Sequence, residues 1–167
     1  MPDSAISPAM QAAVGTEISR RTSHPVTDSD IRRWALAVYW PGEPPPRYQG
    51  SGPGLVAPEE FNPFAWSVAA TSTHPDGADG DQLDPDRTEL QIGVPGPGLR
   101  FMLNGGMEAE YGVPIRAGDV LTSVNRLASY TEREGRLGLM LFTTLEDSWT
   151  NADGDLVKRA RTTLIRY

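Results

Sequence analysis

Residues 27–41 read TDSDIRRWALAVYWP. This stretch decides the fold, because it holds a helix with a marked start, a marked stop and one apolar face. Thr27 and Asp30, three places apart, have the pattern of a capping box, in which the two side chains satisfy backbone N–H groups that the first helical turn leaves open. Ile31, Trp34, Ala35 and Val38 then recur at helical spacing. Pro41 stops the run, since its ring cannot continue the hydrogen-bond ladder. The pattern predicts one helix over residues 28–39 whose single apolar stripe needs a surface to lie against.

The C-terminal third offers that surface. LRFMLNGGMEAEYG (99–112), GDVLTSVNRLASYTERE (118–134), RLGLMLFTTLEDSWTN (136–151) and DLVKRARTTLIRY (155–167) are long stretches rich in Val, Leu, Thr, Tyr and Phe. REGR around Gly135 and NADGD with Asp153–Gly154 read as hairpin connections. Val120, Thr122 and Val124 alternate with Leu121, Ser123 and Asn125, and each stretch exceeds the usual five or six residues of a strand. Upstream, Val14–Thr22 reads as a further strand. The expectation is an antiparallel meander of long, bent strands whose apolar face must be covered, and the helix of residues 28–39 is the one candidate. That arrangement is α+β, a hot-dog fold: a long curved sheet wrapped around one central helix.

The chain has 167 residues, 38% apolar and 22% charged, which fits one domain over residues 1–167. It contains no cysteine, so thiol catalysis, thiolate zinc sites and iron–sulfur ligation are excluded. The N-terminus has no basic run followed by an apolar core, and no stretch approaches ~18 apolar residues, so a cytoplasmic protein is expected. Net charge is −7; the basic residues are scattered, whereas nucleic acid or an anionic membrane requires a basic face. Residues 41–100 are dense in Gly and Pro and read as loop, with a short helical turn at PEEFNPFAW (58–66). The acidic run 74–89 lacks the Gly and closing Glu of a calcium loop and reads as a solvated insert without chemistry.

Four segments, VTDSDIRRWALAVYWPGEPPPRY (26–48), GLVAPEEFNPFAW (54–66), LNGGMEAEYGVPIRAGDVL (103–121) and NADGDLVKRARTTLIRY (151–167), together resemble the N-terminal domain of MaoC-like dehydratases, a hot-dog family. The resemblance spans nearly the whole chain and rests on APxxF at 57–61, NGG at 104–106 and PxRxGD at 114–119. It implies a loop after the central helix that usually carries Asp and His in a D-x-N-P-x-H pattern. That pair positions a water and moves a proton, hydrating a trans-enoyl thioester or running the reverse dehydration. Laid on this chain, the pattern puts Glu43 in the place of Asp, Pro45 in that of Asn, Pro46 on the proline and Tyr48 in that of His. A phenol with an ordinary pKa near ~10 is a poor base at neutral pH. The resemblance therefore implies a unit that forms an acyl pocket while a MaoC-like partner subunit, on another polypeptide or further along a longer parent chain, supplies Asp and His; a homodimer is the other pairing. It implies a bulky acyl-CoA thioester as substrate, extending to a steroid side-chain thioester. No metal or organic cofactor is implied, and the coenzyme A phosphates would need the partner's cations.

Individual residues carry paired readings. Trp34 is core. Tyr39 and Trp40, at the helix end, fit core and acyl pocket alike. Phe61, Phe64 and Trp66 either plug the end of the sheet or line an acyl channel, and the polar Asn62 among them contacts substrate or caps the turn before Pro63. Asn104, Gly105 and Gly106 interrupt a good strand, signalling a bulge or the close approach of a ligand. His24 and His74 lie outside the loop that the fold uses for chemistry. The alternatives are a self-sufficient hot-dog dehydratase, cyclase or thioesterase of a polyketide-type pathway, with Glu43 and Tyr48 as an unusual acid/base pair, and an acyl-thioester binding module without turnover.

Overall fold

The computed structural model describes residues 4–65, 84–136 and 138–167. In chain order its elements are α1 (Pro8–Ala12), β1 (Glu17–Thr22), α2 (Asp28–Tyr39), α3 (Arg87–Gln91), β2 (Met102–Tyr111), β3 (Thr122–Gly135), β4 (Gly138–Thr150) and β5 (Leu156–Arg166), with a tight turn at Pro46–Tyr48 between α2 and α3. The capping box that opens α2 is complete: Thr27 Oγ1 accepts from the Asp30 N–H at 3.1 Å, and the Thr27 N–H donates to Asp30 Oδ2 at 3.0 Å. The helix keeps the expected bounds. β1 begins at Glu17 rather than Val14 because α1 and its closing turn occupy the preceding residues, where the Gly15 N–H donates to the Leu127 carbonyl at 2.7 Å.

The sheet is antiparallel, in the order β1-β3-β4-β5-β2, and the arrangement is the hot-dog fold. β3, β4 and β5 form the expected meander, joined at Gly135–Gly138 and by a turn in which Asn151 Oδ1 accepts from the Asp153 and Asp155 N–H groups, with Gly154 at φ +87°. β2 departs from it. Although it precedes β3 in sequence, β2 crosses to the far edge beside β5. The connection 112–121 forms no hairpin; it pairs instead with the loop after α2 and the lead into α2, through Ala57 N–H to Ile115 O at 2.8 Å and Gly118 N–H to Val26 O at 2.8 Å.

Two apolar clusters divide the covered face. At one end Ile31 and Ala35 of α2, both fully buried, join Leu55, Phe61 and Phe64 with Leu121, Trp149 and Val157 of the sheet, and Trp34 packs against them. Burying a side chain such as Ile31 is worth about 1.5–3 kcal/mol, so this contact holds the helix to the sheet. At the other end Met10, Ala13, Leu127, Tyr130 and Leu141 pack under Ile92, Val94 and Leu99. Two expectations need correction. Val38, on the predicted apolar stripe, is 54% exposed, because it lies beyond the last turn that meets the core. The acidic run 74–89 is not wholly a solvated insert: Arg87–Gln91 is a helical turn, and Glu89 is fully buried.

Candidate functional site

The loop after α2 is built to be rigid. It is tied back along the helix by Arg32 Nη1 donating to the Gly50 carbonyl at 2.9 Å and by the Gly52 N–H donating to Asp28 Oδ2 at 2.9 Å. Gln49 Nε2 donates to the Pro44 carbonyl across the turn. Pro44 and Tyr48 are buried. The Tyr48 ring lies 6.0 Å from that of Tyr39, and the Arg47 guanidinium sits over the Tyr48 ring at 4.7 Å. The Tyr48 side chain, with a smaller share from Tyr39, pushes Arg47 further above its ordinary pKa; the loop therefore carries a permanent cation. Glu43 is exposed, and no hydrogen bond joins it to Tyr48 among the described residues. The structure thus brings Tyr39, Tyr48 and Arg47 together and leaves Glu43 apart. Trp40 is 82% exposed, and Leu36 and Val38 are exposed on the last turns of α2.

The other sequence candidates separate into two places. Phe61 and Phe64 are closed into the core, the first edge-on to Trp34 at 5.6 Å, the second edge-on to Trp149 at 5.1 Å. They line no channel among the described residues. Asn62 caps its turn, its Oδ1 accepting from the Phe64 N–H at 3.0 Å. Trp66 and His74 lie outside the described residues, and His24 is exposed beyond the end of β1. Asn104, Gly105 and Gly106 form a bulge on β2, where the register against β5 shifts and the Gly106 N–H donates to Asn104 Oδ1 at 2.9 Å. A Cβ on Gly105 would stand 3.0 Å from the Thr163 carbonyl oxygen, and Gly106 has φ +122°. The two glycines are required by the bulge itself. β2 is an outer strand, exposed from Leu103 to Glu110.

A polar cluster that the sequence did not signal sits under α3. Arg166 Nη1 and Nη2 donate to the two oxygens of Glu89 at 2.7 Å each, Nη1 also to the Pro85 carbonyl at 2.7 Å and Nη2 to Thr143 Oγ1 at 2.6 Å; Tyr130 O–H donates to Glu89 Oε1 at 2.6 Å. Burial first, and then the hydrogen bond to Glu89, push the Tyr130 phenol well above its usual value, so it stays a donor. This is a dry, bidentate ion pair that pins α3 to the sheet. Among the described residues no group of three His, Asp or Glu side chains converges on a metal position, and no helix is long and apolar enough to cross a membrane.

With this geometry in view, comparison with known proteins assigns the chain. A family model described as FAS1-like, dehydratase domain region, matches residues 12–160. No curated protein matches. Among solved structures, a MaoC-like dehydratase from Rhodospirillum rubrum is similar at 21% identity and TM-score 0.50, covering 93% of this chain and 92% of that one. The ChsH1–ChsH2 complex from Mycobacterium tuberculosis is similar at 19% identity and TM-score 0.58 over 94% and 86%. The unliganded R-hydratase PhaJ1 from Pseudomonas aeruginosa is similar at 12% identity and TM-score 0.52 over 92% and 81%.

Proposed function

The chain belongs to the FAS1-like dehydratase region family, a hot-dog family of hydratase type, and on that premise we propose that it is the acyl-binding half of a heteromeric (R)-specific enoyl-CoA hydratase whose Asp and His come from a second hot-dog unit. The observation that carries this reading is the loop after α2, which keeps its rigid frame but sets a buried Tyr48 where a base is needed. Adding water to the β-carbon of an enoyl thioester calls for a proton acceptor with a pKa near the working pH. Tyr48 offers a phenol in place of an imidazole, and Glu43 is exposed with no hydrogen bond to it among the described residues.

Two bare surfaces support the partner. β2 exposes unpaired backbone groups along an outer edge, which invites another strand. A symmetric homodimer would satisfy that edge, but it would assemble two loops that both lack an imidazole. The ChsH1–ChsH2 neighbour is a complex of two differently named chains, and the same solution suits this one. Tyr39 and Trp40, with Tyr48 behind them, then wall the acyl site, and the β2 bulge at Asn104–Gly106 lets a backbone or thioester approach closely. Flat aromatic walls suit a bulky, ring-bearing tail such as a steroid side-chain thioester.

The test is an enoyl-CoA hydration assay on the purified chain, alone and after co-expression with MaoC-like proteins that carry the intact D-x-N-P-x-H loop, with mass measured on size exclusion. Activity that appears only in the heteromer is the expected result. Full hydratase activity in a monomer or homodimer would overturn the reading.

A further inference from the structure

A separate cleft of about 210 Å³ opens between the Ala57–Glu59 segment, the turn that follows β2, and the neighbouring ends of β4 and β5; none of its lining residues lies between Glu43 and Tyr48. Ala57, Ile115 and Val157 make much of the wall apolar, and Lys158 is the one cation among its described lining residues. The Lys158 side chain is only 9% exposed. Its Nζ lies 5.2 Å from the ring centroid of Tyr111 and 5.2 Å from that of Trp149, both of which line the cleft. The Tyr111 hydroxyl is buried and has no hydrogen-bond partner among the described residues.

A buried ammonium needs a counter-ion, and Lys158 takes it from outside: Glu60 Oε2 accepts from Nζ at 3.1 Å, on a side chain that is 64% exposed. The two halves of this pair are unequal. The cation is held between two aromatic faces, which favour it, whereas the anion stands on a solvated side chain that can rotate away at little cost. Glu60 thus displays how a carboxylate meets Lys158 without belonging to the cleft.

We propose that this cleft is a binding site for a small carboxylic acid with an apolar body, whose carboxylate replaces that of Glu60 on Lys158. A monoanion matches the single ammonium. A phosphate would bring excess negative charge to a site whose lining already includes the acid Glu59. The volume lies below the ~300–1,000 Å³ of drug-sized pockets, so a short branched or aromatic acid fits and a long acyl tail does not. The site needs no partner unit and stands apart from the hydratase reading.

Melting of the full chain in isobutyrate and in benzoate tests it, with Glu60→Ala, Lys158→Met and the double variant beside the wild type. Removing Glu60 leaves Lys158 without its anion, so either acid at ten times its Kd should raise the melting temperature of Glu60→Ala by about 3–6 °C. The wild type should gain less, and the two chains without Lys158 nothing. Equal gains in all four chains, or none in Glu60→Ala, would overturn the proposal. Phenyl phosphate that stabilises as well as benzoate would overturn the carboxylate assignment. Should Glu60→Ala fail to fold, amide shifts of the wild type in benzoate decide: changes gathered at residues 111–115 and 157–158 support the site, and their absence at 100 mM, on the order of the weakest affinity such a ligand could usefully have, refutes it.

Discussion

The two ends of the sheet's covered face are finished in opposite ways. Under α3 the chain buries a charge pair and answers it internally, with four hydrogen bonds from the two terminal nitrogens of Arg166, while its buried Nε has no hydrogen-bond partner among the described residues. Along α2 it buries Ile31 and Ala35 and then leaves Leu36, Val38 and Trp40 exposed by 57%, 54% and 82%. The first end is complete in its ion pair, although Leu90 of α3 stands 58% exposed. The second leaves three large apolar side chains on solvent, and under the proposed function they stand where the partner or the acyl tail arrives. Chemistry in this molecule should therefore concern the α2 end, and stability should concern both.

The sharpest way to break that contrast is to disturb the complete end. Arg166→Met leaves Glu89 buried with only Tyr130 to hold it, and removing one partner of a buried pair costs about 3–5 kcal/mol. Calorimetry should show a melting temperature lower by roughly 6–20 °C. Replacing Glu89 by Leu in the same chain should recover much of the loss, because no orphaned charge remains. A single variant that melts within about 2 °C of the wild type would mean that the pair is not dry.

The same measurement separates the buried start of α2 from its exposed end. Ile31→Ala opens a cavity in a fully buried position and should cost about 2–5 kcal/mol. Val38→Ala, one repeat further along the same stripe, should change the stability of the isolated chain by no more than about 0.5 kcal/mol. If both cost alike, α2 is covered along its whole length in solution and the bare surface does not exist. Trp40→Ala sharpens the comparison in the assembled enzyme. As a wall of the acyl site, Trp40 contributes binding that substrate and transition state share, so the variant should raise KM for a ring-bearing enoyl thioester about tenfold with kcat little changed. An unchanged KM would remove Trp40 from the site.

What could be read from the sequence was local. The capping box at Thr27 and Asp30, the stop at Pro41 and the turn at Asn151–Asp155 are decided by residues within five places of each other, and each stands where its pattern put it. The place of β2 was not legible in this way. Nothing within residues 99–112 says that the strand will pair with β5 rather than with β3, since the connection is steered by contacts to Val26 and Ala57. Glu89 was hidden by its company: in a run of acids each reads as solvated, and the partner that buries it lies 77 residues away. The candidate site was half legible. The loop follows from the helix stop and the proline run, and its missing imidazole from the resemblance to the MaoC-like pattern, but the closing of Phe61 and Phe64 into the core depends on Trp34 and Trp149, which no periodicity in EFNPFAW announces. Lys158 was equally silent, a cation in a strand whose aromatic neighbours come from β2 and β4.

The smallest effect is expected in the loop where the MaoC-like resemblance would place a catalytic pair. If the loop after α2 acts only as a wall, Glu43→Gln removes an exposed carboxylate that touches no reacting atom, and Tyr48→Phe removes a hydroxyl while leaving the ring against Tyr39 and under Arg47. Each change, made in the assembled enzyme, should lower kcat by less than about tenfold, because a working general acid or base contributes ~100-fold or more. The pH profile of kcat/KM should keep its shape, since its limbs would report groups on the partner unit. The outcome that breaks the comparison is a loss of about a thousandfold in a variant that still folds and assembles, well beyond what a misplaced wall residue explains. That result would move the chemistry back into this chain, with Tyr48 or Glu43 as its acid or base, and would make the bare surface of α2 an acyl site complete without a catalytic partner.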